Sequence, residues 1–413
     1  MEKGSLLSTE RPTLAGLDPA MLGLPFYEDR HAELAERVTA WTARHAELWR
    51  RPLPSPPAEH GRTVLRELGD AGLLAFLHPA APGTDGDLRS LCLAREALAY
   101  ADDLADFAFS IQALSATPIL RHGSPAQRER FLPGLAAGTL QGAFAVSEPQ
   151  AGSDLAAAAT RATREGDGFV LDGVKAWIAN AGTADVYAVL ARTGEGAAAL
   201  GLSMFLVPAD TPGVRIEPAD LVAPRAFGHL HLDGVRLGAD ALLGRSGGGF
   251  AIALEVLDRF RMTVGAAAVG FARRAAHSAL RHTRSRAIYG SRLSDLGTVR
   301  AALADMDVRL NAAGLLVARA AWEADRESRY QKHSAIAKLY ATEAAQSVVD
   351  DCVQMFGAAG LVADTITERL YRQIRSLRIY EGASEVQRDV IAGSLDLRRA
   401  QQCGAIFDVD RES

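Results

Sequence analysis

Arg378-Ile-Tyr-Glu-Gly-Ala-Ser-Glu-Val-Gln-Arg388 is the stretch around which the rest of this sequence is organised. Just before it, the segment from Ile366 to Leu377 carries apolar residues at helical spacing. Within it, Ser384 and Gln387 have the spacing of a capping box, which predicts that a second helix begins there. Glu381 is therefore expected in the joint between two helices. A carboxylate at that place can act as a base, and a solvated interhelical glutamate is the alternative.

The composition is typical of a soluble globular protein and does not suggest nucleic acid as a partner. The chain has 413 residues, a net charge of −5, 48% hydrophobic and 23% charged residues. Acids and bases are interspersed, so neither nucleic acid nor a membrane surface is an expected partner. Its three cysteines, Cys92, Cys352 and Cys403, lack metal-ligand spacing and suit a reducing compartment. The first residues show no signal pattern, and no apolar run reaches the ~18 residues of a membrane span, so we expect a cytoplasmic protein.

The first third of the chain predicts a helical domain. Residues 1–25 are interpreted as a loose N-terminal extension, and 26–139 as the domain itself. Ser124 and Gln127 form a second capping-box pattern, which predicts the start of a short helix. The other predicted helices are Tyr27–Trp49, Thr63–Ala71 and Leu88–Ala116.

The middle of the chain predicts a small β domain over 140–243. Short runs there are β-branched, aromatic-rich or alternating, and turn residues bound them. Asp172-Gly173 and Asp233-Gly234 are expected to form tight turns. The predicted strands lie at Phe169–Ile178, Val186–Ala191, Leu202–Val207, Val214–Ile216 and His229–Val235.

The last third predicts a four-helix bundle over 244–397, followed by a tail over 398–413. The predicted helices include Ala251–Arg286, Lys332–Phe356 and Ile366–Leu377. Gly265-Ala-Ala-Ala-Val-Gly270 is a small-residue patch that would let a neighbouring helix pack closely. The fold class is thus α+β: a helical N-terminal domain, a β-barrel-like middle domain and a C-terminal bundle. A 4-3-4-3-4 spacing of apolar residues indicates a bundle seam at Val299, Leu303, Met306, Leu310, Ala313 and Val317.

Two motifs in the middle domain suggest a ligand site. Phe144-Ala-Val-Ser-Glu-Pro-Gln-Ala-Gly-Ser-Asp-Leu155 combines hydroxyls, a proline and a glycine, and such a loop can present several donors to a polar ligand. An ordinary turn is the alternative. In Lys175-Ala-Trp-Ile-Ala-Asn180, a tryptophan on a strand could flank a flat ring, or it could belong to the core.

Taken together and in order, five motifs closely resemble the acyl-CoA dehydrogenase family over about residues 60–395. The resemblance implies an FAD enzyme that dehydrogenates an acyl thioester, on CoA or an acyl carrier protein, between its α and β carbons. It implies that Glu381 removes the α-proton while flavin N5 accepts hydride from the β-carbon. The motifs are Ser147-Glu-Pro-Gln-Ala-Gly-Ser-Asp154, Leu171-Asp-Gly-Val-Lys-Ala-Trp-Ile178, Arg286-Ala-Ile-Tyr-Gly290, Gln354-Met-Phe-Gly357 and Tyr380-Glu-Gly382.

The resemblance also implies the remaining site residues. Contacts to the substrate would come from Ser153, Asp258, Arg261, Tyr380 and Gly382, and no metal is implied. Arg286 and Gln354–Gly357 would reach FAD across a subunit boundary, which implies a homotetramer, and electron-transfer flavoprotein is an implied electron acceptor. Contacts to FAD would come from Val146, Ser147, Trp177, Ile178, Ala179, Arg286, Gln354, Met355, Phe356, Gly357, Ala383 and Glu385.

Three positions depart from the family pattern. Ala179 and Ala383 stand where the family has hydroxyl residues beside the cofactor, and Gly297 stands where it commonly has a glutamine. Each lost hydrogen bond would weaken cofactor binding by ~0.5–1.5 kcal/mol. These departures are also compatible with a second hypothesis, a flavin-dependent oxidase or monooxygenase in a natural-product pathway. A third is a non-catalytic assembly protein on the same scaffold.

The segment 224–235 differs from the commonest fatty-acid-degrading members of the family and looks more like members of natural-product pathways. Ordinary drift in a strand-turn-strand segment is the alternative. His229 and His231 alternate along it on one strand face. With no acidic or cysteine partner expected beside them, they do not predict a metal site.

Overall fold

Asp102 separates two consecutive helices of the N-terminal region. In the computed structural model, which describes residues 16–77, 87–194, 198–326 and 329–395, this residue is extended at φ −160° and its carboxylate accepts a hydrogen bond from the Leu104 N–H at 2.9 Å. The predicted single helix over 88–116 is therefore wrong, because an aspartate cap starts a new helix at Asp103. The helices are α1 (Pro19–Leu22), α2 (Asp29–Arg44), α3 (Pro57–Asp70), α4 (Leu88–Ala101), α5 (Asp103–His122) and α6 (Pro125–Ala136).

The capping box predicted at the start of α6 is confirmed. The Ser124 hydroxyl accepts from the Gln127 N–H at 3.2 Å, and the Gln127 side chain accepts from the Ser124 N–H at 2.9 Å. The predicted C-terminal tail and most of the predicted N-terminal extension lie outside the described residues.

The middle region is one eight-stranded sheet with the order β6-β7-β3-β2-β4-β5-β8 and β1 parallel to β4. Successive residues of β4 alternate between two cores: Ala188 and Leu190 face the helices, whereas Tyr187 and Val189 face the interior of the β region. The sheet is thereby joined to the helical layers. The strands are β1 (Gly142–Ala145), β2 (Arg161–Glu165), β3 (Gly168–Ala179), β4 (Val186–Arg192), β5 (Leu202–Pro208), β6 (Val214–Pro218), β7 (Phe227–Leu237) and β8 (Leu242–Leu243).

The two predicted Asp-Gly turns are wrong. Asp172-Gly173 lies inside β3 and Asp233-Gly234 inside β7, and these long strands pair antiparallel with a register shift next to Gly173. The Asp172 carboxylate accepts from the Gly234 N–H at 2.8 Å. Gly173 has φ 151°, and a Cβ there would lie 2.6 Å from the Thr160 hydroxyl. The dipeptides therefore form a bulge between two strands.

The C-terminal region is the predicted bundle, and the fold class is confirmed. Its seam is buried from Met306 to Val317, whereas Val299 and Leu303 are half-buried. Among the described residues, none of the helices combines the length and hydropathy needed to cross a membrane. The elements are α7 (Gly249–Ser285), β9 (Ala287–Ile288), β10 (Ser291–Arg292), α8 (Gly297–Asp325), α9 (Gln331–Phe356), α10 (Ile366–Leu377) and α11 (Ser384–Ser394).

The small-residue patch of α7 allows two helices to approach closely, as predicted. A Cβ at Gly270 would lie 2.3 Å from the Glu96 carbonyl oxygen of α4. A Cβ at Gly265 would lie 3.0 Å from a Val317 methyl of α8. The contact at Gly270 is with backbone, so it cannot be relieved by a side-chain rotation.

Gly270→Ala is expected to destabilise the protein by about 1–3 kcal/mol, because α4 must move away from α7. Chemical denaturation of both proteins measures the difference. Gly297→Ala is the matched control, since a Cβ at Gly297 meets no atom within 4 Å and alanine is the better helix former. Equal stability of the Gly270→Ala variant and the parent would contradict this packing.

Candidate active site

Glu381 lies in the loop between α10 and α11, as the sequence predicts. Its backbone adopts φ 53°, and Gly382 follows at φ 91°. The Lys338 ammonium donates to the Gly382 carbonyl at 2.7 Å, and the Gln387 side-chain amide donates to the same oxygen at 2.9 Å. A left-handed conformation is unfavourable for a glutamate, so these two donors hold a strained loop in place.

The capping box predicted for Ser384 and Gln387 is wrong. Helix α11 has Ala383 as its N-cap and no side-chain cap. The Ser384 hydroxyl instead donates to a Glu343 carboxylate oxygen at 2.6 Å, and Arg378 pairs with the other oxygen at 2.7 Å. Both side chains of the apparent box are thus used to fix the loop around Glu381.

The Glu381 carboxylate is positioned to exchange a proton near neutral pH. Its Oε2 is buried and has no hydrogen-bond partner among the described residues. Burial raises the pKa of Glu381 to about 7, although Arg95 and Lys338 act in the opposite direction. Burial likewise lowers the pKa of Lys338 to about 8. A carboxylate whose pKa lies near neutral pH is well matched to general base catalysis.

The sequence analysis did not predict the buried ion pair between Arg95 and Asp106, whose arginine acts electrostatically on Glu381. Arg95 of α4 donates to both carboxylate oxygens of Asp106 on α5, at 2.8 and 2.9 Å, and to the Thr263 hydroxyl of α7 at 2.9 Å. Each of the three guanidinium nitrogens of Arg95 and both carboxylate oxygens of Asp106 have a hydrogen-bond partner, as a buried ion pair requires. The available signal was the presence of charged residues within two otherwise apolar helices.

Some of the residues predicted to contact the substrate lie near Glu381, and Ser153 is not linked to it. Arg261 and Asp258 of α7 form an ion pair at 2.6 Å, and the charge of Arg261 acts on Glu381. Tyr380 precedes Glu381 in the same loop, and burial raises its pKa to about 12. Ser153 is exposed in the loop after β1, and nothing in the described structure links it to Glu381.

The predicted flavin loop, 146–154, is fixed by a second buried ion pair. The Lys175 ammonium donates to a Glu148 carboxylate oxygen at 2.7 Å and to the Val146 carbonyl at 3.3 Å. Glu148 also accepts from the N–H groups of Ala159 and Thr160, at 2.7 and 3.0 Å. Although burial opposes it, Lys175 lowers the pKa of Glu148 to about 2. The sequence analysis predicted a ligand site here from the hydroxyl groups of the loop, and it did not predict the Lys175–Glu148 ion pair that holds the loop in place.

Trp177 presents a flat apolar surface beside that loop. It lies in a register shift of β3, at φ 60°, with 56% of its surface exposed. The neighbouring Ala176 N–H donates to the Ser147 carbonyl at 2.9 Å, so loop and strand are joined. Ile178 is buried and Ala179 is half-buried. A strained, exposed tryptophan beside a hydroxyl-bearing loop fits the isoalloxazine ring of FAD.

The other predicted FAD contacts lie on the C-terminal helices. Arg286 caps the C-terminus of α7, and Phe356 stacks on His282 of the same helix with ring centroids 4.1 Å apart. Arg286 follows Arg261 by twenty-five residues, which corresponds to about 37 Å along a helix. Within one chain, the structure therefore does not bring Arg286 and Gln354–Gly357 to the Glu381 loop. Ala383 and the exposed Glu385 lie at the start of α11.

The histidines of β7 do have an acidic neighbour, contrary to the expectation from sequence. His231 Nε2 lies 2.9 Å from a Glu217 carboxylate oxygen of β6. His229 instead contacts the Trp177 ring, with centroids 4.8 Å apart. No group of three metal-ligating side chains occurs in the ranges that the structure describes.

The structure combines a carboxylate with a buried, unpartnered oxygen in the C-terminal helical region and an exposed, flat tryptophan surface in the β region. Comparison with known proteins identifies the class of protein that has this combination. Residues 28–139, 143–235 and 247–395 match the profiles described as the N-terminal, middle and C-terminal domains of acyl-CoA dehydrogenase. The chain belongs to the acyl-CoA dehydrogenase family. The predicted fold, enzyme class and FAD cofactor are thereby confirmed.

Similar proteins include enzymes that act on several thioesters. The short-chain specific acyl-CoA dehydrogenase of Mus musculus is 37% identical over 336 residues, covering 80% of this chain and 82% of that protein. Butyryl-CoA dehydrogenase from Megasphaera elsdenii has a TM-score of 0.80 at 31% identity, covering 87% and 98% of the two chains. A glutaryl-CoA dehydrogenase from Mycobacterium smegmatis in complex with FADH2 has a TM-score of 0.80 at 28%, covering 90% and 95%. The prolyl acyl carrier protein oxidase AnaB has a TM-score of 0.79 at 27%, covering 87% and 99%.

The raised pKa of Glu381 has a consequence for stability. Because the folded-state pKa of about 7 exceeds the ordinary 4.5, the folded protein holds this proton more tightly, and stability is lost as pH rises from about 5 through 7. Glu381→Gln removes this loss. The variant is expected to gain up to about 3 kcal/mol relative to the parent between pH 5 and pH 8, measured by denaturant unfolding at both pH values. A difference that does not change with pH would contradict the buried environment of Glu381.

Proposed function

We propose that this protein catalyses the FAD-dependent α,β-dehydrogenation of an acyl thioester, with Glu381 as the base that removes the α-proton. The observation that carries the proposal is the buried, unpartnered Oε2 of Glu381 in a loop held at positive φ. Orphaned polar atoms of this kind are costly in a fold and indicate a ligand.

The loop also offers a donor for the thioester oxygen. Removing an α-proton requires that the developing negative charge on the carbonyl oxygen be stabilised. Among the described residues, the Glu381 N–H makes no backbone hydrogen bond. Lys338 and Gln387 donate to carbonyl oxygens of the same loop and leave this N–H available. This N–H can therefore donate to a thioester carbonyl while the carboxylate of the same residue takes the proton.

FAD, when bound, supplies the acceptor for the hydride that leaves the β-carbon. We assign its flavin end to Ser147, Trp177, Ile178 and Ala179, with Ala383 and Glu385 at the start of α11. Val146 belongs to the same loop through its contact with Lys175. We assign Asp258 and Arg261, together with Ser153, Tyr380 and Gly382, to the substrate.

The distant FAD contacts support a homo-oligomer. Arg286 and the segment Gln354–Gly357 lie at the far end of α7, too far from Arg261 and the Glu381 loop for one chain to bring them all to a single site. A second copy of the chain would bring them to the site. Exposed apolar side chains near that end, Leu361 at 73% and Val362 at 55% exposed, suit such an interface. We propose a tetramer built as a dimer of dimers.

A flavin oxidase is the second candidate function. The fold similarity to an acyl carrier protein oxidase and the apolar Ala179 beside the proposed ring position favour it. The dehydrogenase requires a protein acceptor such as electron-transfer flavoprotein, whereas the oxidase reduces O2 directly. Oxygen consumption during turnover without any protein acceptor would select the oxidase.

Glu381→Gln is expected to abolish flavin reduction by thioesters, by at least about a thousandfold, because the amide cannot accept the α-proton. In the parent, the rate is expected to rise with pH through about 7, as Glu381 loses its proton. Anaerobic stopped-flow bleaching of the flavin measures both, using a panel of acyl-CoA and acyl-carrier-protein thioesters. Asp389→Asn, an exposed change on α11, is the matched control. A near-normal rate in Glu381→Gln would remove the proposed role.

Light scattering of the FAD-loaded protein is expected to give a tetramer of the 43.9 kDa chain. Arg286→Ala is expected to weaken FAD retention in ultrafiltration, because the partner chain then lacks that contact. A monomer that retains FAD fully would contradict the shared site.

A further inference from the structure

Arg225, at the turn that leads into β7, is a buried cation with unused hydrogen-bonding capacity. Its side chain is only 3% exposed. Both Nε and Nη2 are buried, and neither has a hydrogen-bond partner in the part of the chain that the structure describes. A guanidinium carries five donors, and burying them unsatisfied is costly. The feature therefore requires an explanation that the fold itself does not give.

The surrounding carboxylates do not neutralise Arg225. Its nearest anion is Asp103, with Nε 3.6 Å from a carboxylate oxygen. Asp103 also pairs with Arg51 at 3.5 Å and with Arg369 at 3.4 Å, and the same two arginines contact Asp102 at 3.1 and 2.5 Å. Three guanidinium groups thus share two carboxylates. The cluster keeps a surplus of positive charge, and the member with free donors is Arg225.

Ring contacts and charge connect Arg225 to the strand assigned to the flavin and to the loop of the proposed base. Its guanidinium lies over the Phe107 ring, 5.2 Å from the centroid, and Phe107 in turn contacts Phe227 at 5.5 Å. Phe227 pairs with Ala179 across β3 and β7, so the cation lies beside the strand assigned to the flavin. The charge of Arg225 also acts on the half-buried Tyr380, which directly precedes Glu381 in the loop.

We propose that Arg225 binds a carboxylate carried by the acyl group of the substrate, so that the enzyme prefers carboxyacyl thioesters to plain acyl thioesters. The proposal rests on the proposed dehydrogenase function and specifies its substrate class. A carboxylate offers the planar acceptor pair that matches two free guanidinium nitrogens. It would also remove the surplus charge of the cluster. The other buried arginine near Glu381, Arg95, cannot take this role because Asp106 and Thr263 already occupy its donors.

The test compares two thioesters of equal chain length, glutaryl-CoA and pentanoyl-CoA, which differ in a terminal carboxylate against a methyl group. Anaerobic flavin reduction of the FAD-loaded protein gives the specificity ratio. The parent is expected to prefer the carboxylated substrate by about tenfold or more, the range for hydrogen bonds to charged groups. Arg225→Met is expected to lower this ratio by about tenfold, and Arg225→Lys is expected to restore part of it.

A second readout separates binding from chemistry. In the Glu381→Gln background, calorimetry measures the dissociation constants of the same two thioesters, and Arg225→Met is expected to weaken only the glutaryl compound by about tenfold. Arg236→Met is the matched control, because Arg236 is an exposed arginine of β7, 72% exposed and paired with Glu165. The control is expected to leave rate and ratio unchanged.

Three results would overturn the inference. If the parent reduces its flavin with plain thioesters as readily as with carboxylated ones, the role of Arg225 is overturned, while the dehydrogenase function stands. Equal losses for both substrates in Arg225→Met, or a loss of FAD or of melting temperature alone, would give Arg225 a purely structural role. A flavin that no thioester bleaches would overturn the proposed function itself, and this inference with it.

Discussion

The left-handed backbone at Glu381 is the constraint on which the site depends. A glutamate at φ 53° costs about 1–2 kcal/mol relative to ordinary backbone. Lys338 from α9 and Gln387 from α11 hold this conformation by donating to loop carbonyls. The loop conformation frees the Glu381 N–H and leaves one carboxylate oxygen without a partner. Strain, donor and base are therefore properties of the same residue.

Two kinds of buried charge occur around this loop, and they serve different purposes. Arg95–Asp106 and Lys175–Glu148 are saturated with hydrogen bonds, so they fix the positions of α4, α5 and the loop after β1. Glu381, in contrast, is buried with donors or acceptors unused. An unpartnered buried group calls for an explanation, and at a strained loop a catalytic role is the one we propose. Satisfied pairs thus form the frame, and the unsatisfied group marks the reaction space.

The sequence predicted local structure well where one signal acted alone. Helix α10 has the predicted bounds, and Ser124 forms its capping box, because periodicity and caps are local properties. The sequence predicted local structure wrongly where a residue interacts with a distant element of the fold and not with its neighbours in the chain. Ser384 has the spacing of a cap but donates to Glu343 on another helix, and Asp172-Gly173 bulges against β7. The base was predictable from its motif, whereas the Arg95–Asp106 pair joins residues of two helices that no spacing rule connects.

We propose that Glu381 removes a proton from the α-carbon as the flavin is reduced. The most direct measurement is the primary isotope effect on anaerobic flavin reduction, using the best thioester of the panel with deuterium only at its α-carbon. We expect flavin reduction to slow severalfold with the deuterated thioester, because the α C–H bond breaks in the step that the flavin spectrum reports. An identical rate with the α-deuterated and unlabelled thioesters would contradict it.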